Sequence, residues 1–525
     1  MKTYQKKLKA FITFLFLIGI SSFSYAQTAS GIVFHDINEN GVKENNEKGI
    51  AGVCVSNGVD VVQTNSKGKW KLPITDDTGL FVIKPKNYMV PLNKSMLPQY
   101  YYLHKPNGSP KLKANGVEPT GKLPKSINFP LVYKPEPDKF SALFWGDTQA
   151  SSPDEVNYLN HDIVEDLIGT DAKFGVVLGD MVGHDPGLFK EISEGIGQIE
   201  IPWYYIFGNH DNNSDAKKNK YRDETFERYF GPSNYAFEFG QVVFISFNNV
   251  YYGSSGNYKP YFLTEQVQFL KNYLNFVSDD KLIVLIMHIP IFTCENKEQI
   301  FDILKDRAHT FSISAHVHEQ INVFVDQKHG WKGKEPHHHL INVTTCGSWW
   351  CGQIDEVGIP HATMNDGAPN GYSIITFDGN KYKVKFKAAR RPDNYQMNIY
   401  APNKINIASI DTTKVLVNVF AGSEKSIVQM KVGKDGKWNL LKRVDVIDPE
   451  CLRMYNLTPI FKHKFNGAEI ENTLGWPMDH PNISKHIWEG KLEGNLKPGT
   501  HTIKVKTTDM YGQVFEDNRI IYIYE

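Results

Sequence analysis

Several apolar runs in this chain stop at short polar groups whose side chains could bind metal. Phe140–Trp145 ends in Gly146-Asp147-Thr148-Gln149, Phe174–Leu178 in Gly179-Asp180, and Trp203–Phe207 in Gly208-Asn209-His210-Asp211. Leu282–Met287 ends in His288, and Phe311–Ser314 leads into Ala315-His316-Val317-His318. The set holds Asp147, Asp180, Asn209, His288, His316 and His318, with no cysteine. Mixed oxygen and imidazole donors suit manganese, iron or zinc, and match calcium or magnesium alone poorly. The donors exceed what one ion with an open position needs and suffice for two. A shared Asp could bridge ions about 3.5–4 Å apart, the arrangement that clamps attacking and leaving oxygens at phosphorus.

Residues at strand ends need a sheet to position them. The runs ending at these groups, with Val242–Phe247, have the length of strands buried on both faces. Between the first two, Ser152 can cap a helix with Pro153 at its first position and Glu155 completing a capping box. Val156, Leu159, Ile163, Leu167 and Ile168 then recur at helical spacing, and a second helix begins at Thr264 with Val267, Leu270 and Leu274 on one face. Residues 138–379 therefore read as a layered α/β core, with ligands at the carboxyl ends of its strands. On either side the texture is all-β. Residues 27–137 carry short β-runs at Gly31–Phe34, Gly52–Ser56, Val61–Thr64, Lys69–Leu72 and Leu80–Lys84, and leave through Pro135-Glu136-Pro137. Residues 380–525 carry Val415–Val419, Ile427–Val432, Thr502–Thr507 and Arg519–Tyr524. A small β-sandwich is expected on each flank.

The ordered set resembles the calcineurin-like metallophosphoesterase family: D-x-H, G-D-x-x, G-N-H-D/E, a lone His, then G-H-x-H, over about Phe140 to Gly379. The resemblance implies the four-layer metallophosphoesterase fold. It also implies two divalent transition-metal ions, one held by Asp147, Asp180 and His318, with Asp180 bridging to a second held by Asn209, His288 and His316. Metal-bound hydroxide would attack the phosphorus of a mono- or diester. His210 would stand outside the metal shell as general acid, with Asp211 orienting its ring. Gln149 stands where the family most often has His, and its carboxamide is the weaker ligand. Ala315 replaces a Gly, which asks for an ordinary backbone angle there. Trp488-Glu489 and Lys497–Lys506 look similar to the C-terminal module of exported family members. Gly347-Ser348-Trp349-Trp350 and Asp366–Tyr372 look like pocket-shaping loops, making Trp349, Trp350, Asn370 and Tyr372 substrate candidates. The substrate would be a phosphorylated small molecule, a glycan or a lipid headgroup.

Other features point elsewhere. Asp36-Ile37-Asn38-Glu39-Asn40-Gly41 with Glu47 matches the spacing of an EF-hand loop, so Asp36, Asn38, Asn40 and Glu47 could hold a structural calcium. A β-run precedes that loop and another follows, so an Asx-rich turn is the alternative. His337, His338 and His339 lack strand-end placement and read as a mostly exposed loop, as do His184 and His361. Five cysteines leave an odd thiol in an oxidising compartment, and Cys346 and Cys351 could pair or stay as buried thiols.

Lys2, Lys6, Lys7 and Lys9, the apolar run Phe11–Ile20 and Ser24-Tyr25-Ala26 form a signal peptide expected to be cleaved before Gln27. The protein is thus expected to be exported, to the periplasm or beyond, with no transmembrane anchor in the mature chain. Among 525 residues, 58 Lys plus Arg balance 58 Asp plus Glu, which argues against a broad nucleic-acid surface. At 41% hydrophobic and 22% charged the chain is an ordinary globular one. The competing function class is a surface carbohydrate-binding or adhesion protein with a vestigial phosphoesterase core. A decayed site should have lost some of Asp180, Asn209, His288, His316 and His318, and all are present.

Overall fold

The computed structural model describes residues 27–253, 255–457, 477–492 and 496–525; the expected signal peptide, residues 1–26, lies outside the described residues. At its centre two sheets pack face to face. One has five strands in the order Trp203–Tyr205, Gly175–Val177, Lys139–Trp145, Gly371–Asp378, Lys381–Ala388. The other has six, in the order Tyr235–Phe239, Val242–Phe247, Leu282–Met287, Thr310–Ser314, His337–Ile341, Ile321–Val325. The first three strands of the five-stranded sheet run parallel, as do the four inner strands of the six-stranded one. Their carboxyl ends therefore open at one edge of the sandwich, where the polar groups follow.

Strand alternation builds the layers. From Lys139–Trp145, Phe140, Ala142 and Phe144 enter the core between the sheets, whereas Leu143 and Trp145 enter a second core. Val176 and Tyr204 likewise face the other sheet, and Val177, Trp203 and Tyr205 face away. Successive side chains point to opposite faces, so strands covered on both sides read as unbroken apolar runs. Aromatic rings from both sheets fill the interior. Phe140 packs on Phe377 with centroids 5.0 Å apart, Phe174 on Phe244 at 5.2 Å, and Tyr204 lies flat on Phe237 at 3.8 Å. Each buried ring is worth about 1.5–3 kcal/mol relative to exposure, so this layer holds the sheets together.

The second core lies under helix Pro153–Leu159, where Ser152 Oγ accepts the Glu155 N–H and Glu155 Oε2 accepts the Ser151 N–H. The chain then loosens into a π-turn over Asn160–Val164, burying Ile163, and a 3₁₀ turn to Leu167. Ile168, expected on the same face, is exposed, because the helical turns end at Leu167 and Ile168 is already extended. Helix Thr264–Leu274 buries Leu270 and Leu274 over the six-stranded sheet and half-buries Val267.

The flanks are β-sandwiches, but the second begins later than residue 380: Lys381–Ala388 pairs with Gly371–Asp378 at the edge of the central sheet, because a tight Gly379 turn returns the chain onto it. Strands before Lys134 form two four-stranded sheets, and this module shares its apolar core with the central sheets, with Phe81 edge-on to Phe269 at 5.7 Å. Strands after Gln396 form a four- and a five-stranded sheet around a separate core that includes Val415, Val417, Trp488, Ile503 and Val505. Among the described residues no helix is long and apolar enough to cross a membrane.

The His337–His339 run departs from its expected exposed loop. It opens the inner strand His337–Ile341, fully paired and buried. Its rings are satisfied by the neighbouring strands: His337 bridges Thr310 Oγ1 (2.8 Å) and Ser312 Oγ (2.7 Å), His339 bridges Ser312 Oγ (2.6 Å) and Ser314 Oγ (2.9 Å), and His338 reaches Tyr382 Oη (2.7 Å) and Asn322 Oδ1 (3.0 Å). Hydroxyl donors spaced along a parallel strand let polar rings occupy positions an apolar residue would otherwise take.

Candidate metal centre

The strand-end loops bring their side chains to one point. Asp180, His288 and His316 offer donor atoms all within 4.8 Å of one another. His288 is the hub. Its Nδ1–H donates to Leu178 O at 2.9 Å, which aims Nε2 at Asp180 Oδ2 (3.1 Å), Asn209 Oδ1 (3.0 Å) and His316 Nδ1 (3.1 Å). The second half forms around Asp147. Its Oδ2 accepts the His316 N–H at 2.9 Å, and its Oδ1 is buried with no hydrogen-bond partner, 3.9 Å from His288 Nδ1. Gln149 Oε1 and His318 Nδ1 each lie 3.8 Å from the Cys346 thiol, so the two belong to the same corner. Carboxylate, carboxamide and imidazole acceptors thus converge with too few hydrogens to satisfy them, the donor set that a divalent cation completes.

Backbone geometry forces that convergence. Asp147, Gln149, Asp180, His316 and His318 have φ of +24°, +40°, +49°, +76° and +53°, a region L-residues seldom occupy and which is concentrated at functional sites. The preceding glycines matter for two reasons. Gly179 is itself at φ +92°, whereas a Cβ on Gly208 would stand 2.1 Å from the Asp180 amide nitrogen, so Gly208 serves close approach of two loops. Ala315 keeps a conventional angle, and its N–H donates to His288 O at 3.0 Å.

Burial sets the charge states. It lowers His316 to about 3 and His318 to about 4, leaving both neutral as ligands must be. It raises the Asp147 carboxyl to about 8. For the Asp180–His288 pair burial opposes ionisation of both, but their mutual attraction prevails: His288 is pushed up to about 9 and Asp180 is held below the usual carboxylate range.

His210 stands at the rim, half-buried, its backbone N–H donating to Asp180 Oδ1 at 2.7 Å. The expected orientation of its ring by Asp211 is not what the structure shows. Asp211 accepts the N–H groups of Met181 (2.7 Å), Gly208 (2.9 Å) and Val182 (3.3 Å), bracing two ligand loops. The His210 ring is held instead by Gly183 O at Nδ1 and lies beside His184, ring centroids 4.5 Å apart, which leaves Nε2 free. The reason is that the N–H groups of Met181, Gly208 and Val182 hold the Asp211 carboxylate inward, away from its neighbour's ring.

Of the four substrate candidates, Trp349 lines the cleft. It is 40% exposed and stacks on His318 with centroids 4.2 Å apart. The other three are buried supports. Trp350 donates from Nε1 to Thr148 O at 2.9 Å, under the Asp147–Gln149 loop. Asn370 Nδ2 donates to Asp162 Oδ2 (2.6 Å) and Thr345 O (2.9 Å), and Tyr372 packs near Trp145 at the head of a paired strand. Cys346 and Cys351 are free buried thiols facing different surroundings, Cys346 the metal centre and Cys351 a patch with Cys451, Met454 and Met478.

In the Asp36–Glu47 loop the oxygens accept the loop's own amides. Asp36 accepts Asn40 N–H (3.2 Å) and Gly41 N–H (2.8 Å), Glu47 accepts Ile37 N–H (2.9 Å) and Glu44 N–H (3.0 Å), and Asn38 and Asn40 accept Asn40 and Val42 N–H. These are the hydrogen bonds of an Asx-rich turn.

Sequence reasoning missed Tyr252, Tyr258 and Thr345. Tyr252 Oη donates to Asn209 O at 2.5 Å, Tyr258 sits edge-on to His316 at 6.0 Å, and Thr345 Oγ1 donates to Gly146 O (3.0 Å) and Asp147 O (3.1 Å). No spacing rule connects them to the ligands: Tyr252 and Tyr258 pair across one hairpin, Val250–Tyr252 with Tyr258–Pro260, and Thr345 follows the strand His337–Ile341.

Family profiles agree with this architecture. Three family profiles match: N terminal of Calcineurin-like phosphoesterase over residues 37–115, Calcineurin-like phosphoesterase over 141–320, and C terminal of Calcineurin-like phosphoesterase over 339–515. No curated protein matches in sequence. Among solved structures, purple acid phosphatase PPD1 from yellow lupin (Lupinus luteus) seeds aligns at 13% identity and TM-score 0.34, over 69% of this chain and 66% of that one. The Clostridium perfringens spore cortex lytic enzyme SleM aligns at 11% identity and TM-score 0.17, over 74% of this chain and 98% of that one.

Proposed function

The chain belongs to the calcineurin-like phosphoesterase family, a metal-dependent hydrolase of phosphoric esters, and on that premise we propose an exported enzyme that holds two transition-metal ions. Asp147, Gln149 and His318 would hold one, Asn209, His288 and His316 the other, and Asp180 both. The observation that carries this reading is the shortage of donors around His288 Nε2 together with the orphaned Asp147 Oδ1. Manganese, iron or zinc fits these mixed donors. When bound, such ions supply Lewis acidity, activating water and neutralising charge on the phosphoryl oxygens.

The residues do the rest. Neutral His316 and His318 keep their lone pairs for ligation. His210, anchored through Nδ1 on Gly183 O, presents Nε2 to the departing oxygen and gives it a proton. Trp349 offers an exposed aromatic face beside His318 for an apolar or sugar portion of the substrate. Export is supported by the basic start, the apolar run and the small residues before Gln27. The complete ligand set speaks against a vestigial core. A panel of monoester and diester chromogens, assayed after loading with manganese, zinc or iron, tests the reading: hydrolysis with at least one metal, abolished by chelation, is expected. Inactivity towards both ester classes with every metal would refute it.

A further inference from the structure

The loop that carries His316 and His318 is held from the C-terminal β-module. The His318 carbonyl accepts the Asn365 N–H at 3.3 Å, and two residues on, the Gln320 N–H donates to Asp366 Oδ2 at 2.7 Å. Asp366 is not held by its own module alone. Its Oδ1 accepts the Ala368 N–H (2.9 Å), and its Oδ2 faces His486 Nε2 at 2.9 Å, both side chains 1% exposed. His486 lies on the strand Ile483–Lys491 of the C-terminal module. Its other nitrogen faces Asn418 Oδ1 at 2.7 Å, and Asn418 Nδ2 donates to Asp448 Oδ2 at 2.8 Å. Both nitrogens of His486 are therefore engaged, one by Asp366 and one by Asn418. A second line runs beside it. Asn482 donates its N–H to Asn365 O (2.8 Å) and its Nδ2 to Glu319 Oε1 (2.7 Å), and Ser348 Oγ donates to Asn365 Oδ1 (2.7 Å).

We propose that the C-terminal β-module is part of the metal centre's scaffold, with Asp366 and His486 acting as positioning residues that fix the His316–Gln320 turn and so place His318. The turn needs an external hold because both its histidines sit at positive φ, a conformation that persists only where the surroundings over-determine it. A buried, hydrogen-bonded carboxylate–imidazole pair provides one. The proposal rests on the metal-centre reading above. Partners behind metal ligands typically control affinity by about 10–100-fold.

The full chain carrying His486→Ala or Asp366→Asn should release the ion held by His318 about 10–100-fold more readily than wild type in competition with a chelator. The other ion should be released less so, because the His316 N–H is tied separately to Asp147. In excess chelator, amide exchange over residues 316–320 should be faster than in wild type. Excess metal should restore kcat, with KM little changed. His486→Gln, which fills the space and retains one donor, should show a smaller loss in the same direction and covers the case in which His486→Ala fails to fold. Unchanged metal affinity and unchanged exchange at 316–320, with only the melting of the C-terminal module lowered, would overturn the proposal. A wild type that binds fewer than two ions would instead refute the dinuclear reading, and the exchange measurement in chelator would still decide whether the module holds the turn.

Discussion

The buried His337–His339 strand makes the central sandwich acid-sensitive by an amount that follows from its geometry. Burial lowers His337 and His338 to about 3, and holds His339 well below its ordinary value. In the unfolded chain these rings titrate near about 6.5. Their folded values are depressed, so below about 6.5 the unfolded state binds protons the native state refuses. Stability is complete above that pH and falls as pH drops towards about 3. At pH 5 each ring costs about 2 kcal/mol relative to pH 7.5, and His337 and His338 together about 4 kcal/mol. His338→Gln isolates one ring, because a carboxamide can still meet Tyr382 Oη and Asn322 Oδ1 without titrating. The assay is urea unfolding at pH 7.5 and 5.0 in chelator, which keeps proton competition for metal out of the result, with amide exchange over residues 337–341 reporting the strand itself. Wild type should lose about 2 kcal/mol more than the variant across that interval. Equal losses, with the variant merely offset at both pH values, would refute the claim that His338 is buried neutral.

Asp180→Asn should lower metal content and turnover together, measured by metal analysis and ester hydrolysis; full metal with a near wild-type rate would show that this carboxylate does not serve both ions. Gln149→His should tighten the more weakly held ion in a metal titration, since imidazole is the stronger ligand for transition metals. His210→Ala should leave both ions bound and slow alkyl phosphate esters by about 10²–10⁴, with a much smaller effect on nitrophenyl esters, whose leaving group departs without a proton. Metal loading of the apo protein near pH 7.5 should release about one to two protons, because Asp147 and His288 are raised to about 8 and about 9 without the ion; calorimetry in buffers of different ionisation enthalpy reads the number.

The strand ends and the types of the ligands were legible in the sequence because their causes are local. A strand covered on both faces must be apolar throughout, so Phe140–Trp145 and Leu282–Met287 announce both themselves and the point where they stop. Glycine beside Asp or Asn marks a tight loop for the same local reason, although Gly208 turned out to serve the approach of Asp180 and not its own φ. Which partners those residues meet was decided only by the tertiary fold. Nothing adjacent to His337 in sequence reveals that Ser312 and Thr310, on the next strand, carry the hydroxyls that let it be buried. Asp211 stands next to His210 yet braces Met181 and Gly208, and Trp350, beside the exposed Trp349, lies wholly inside. The tie from His318 through Asp366 to His486 joins residues far apart in the chain. A chain's apolar pattern encodes which face of an element is covered, because that depends on one residue at a time; a hydrogen-bond partner depends on the register of two elements, which only packing the whole chain determines.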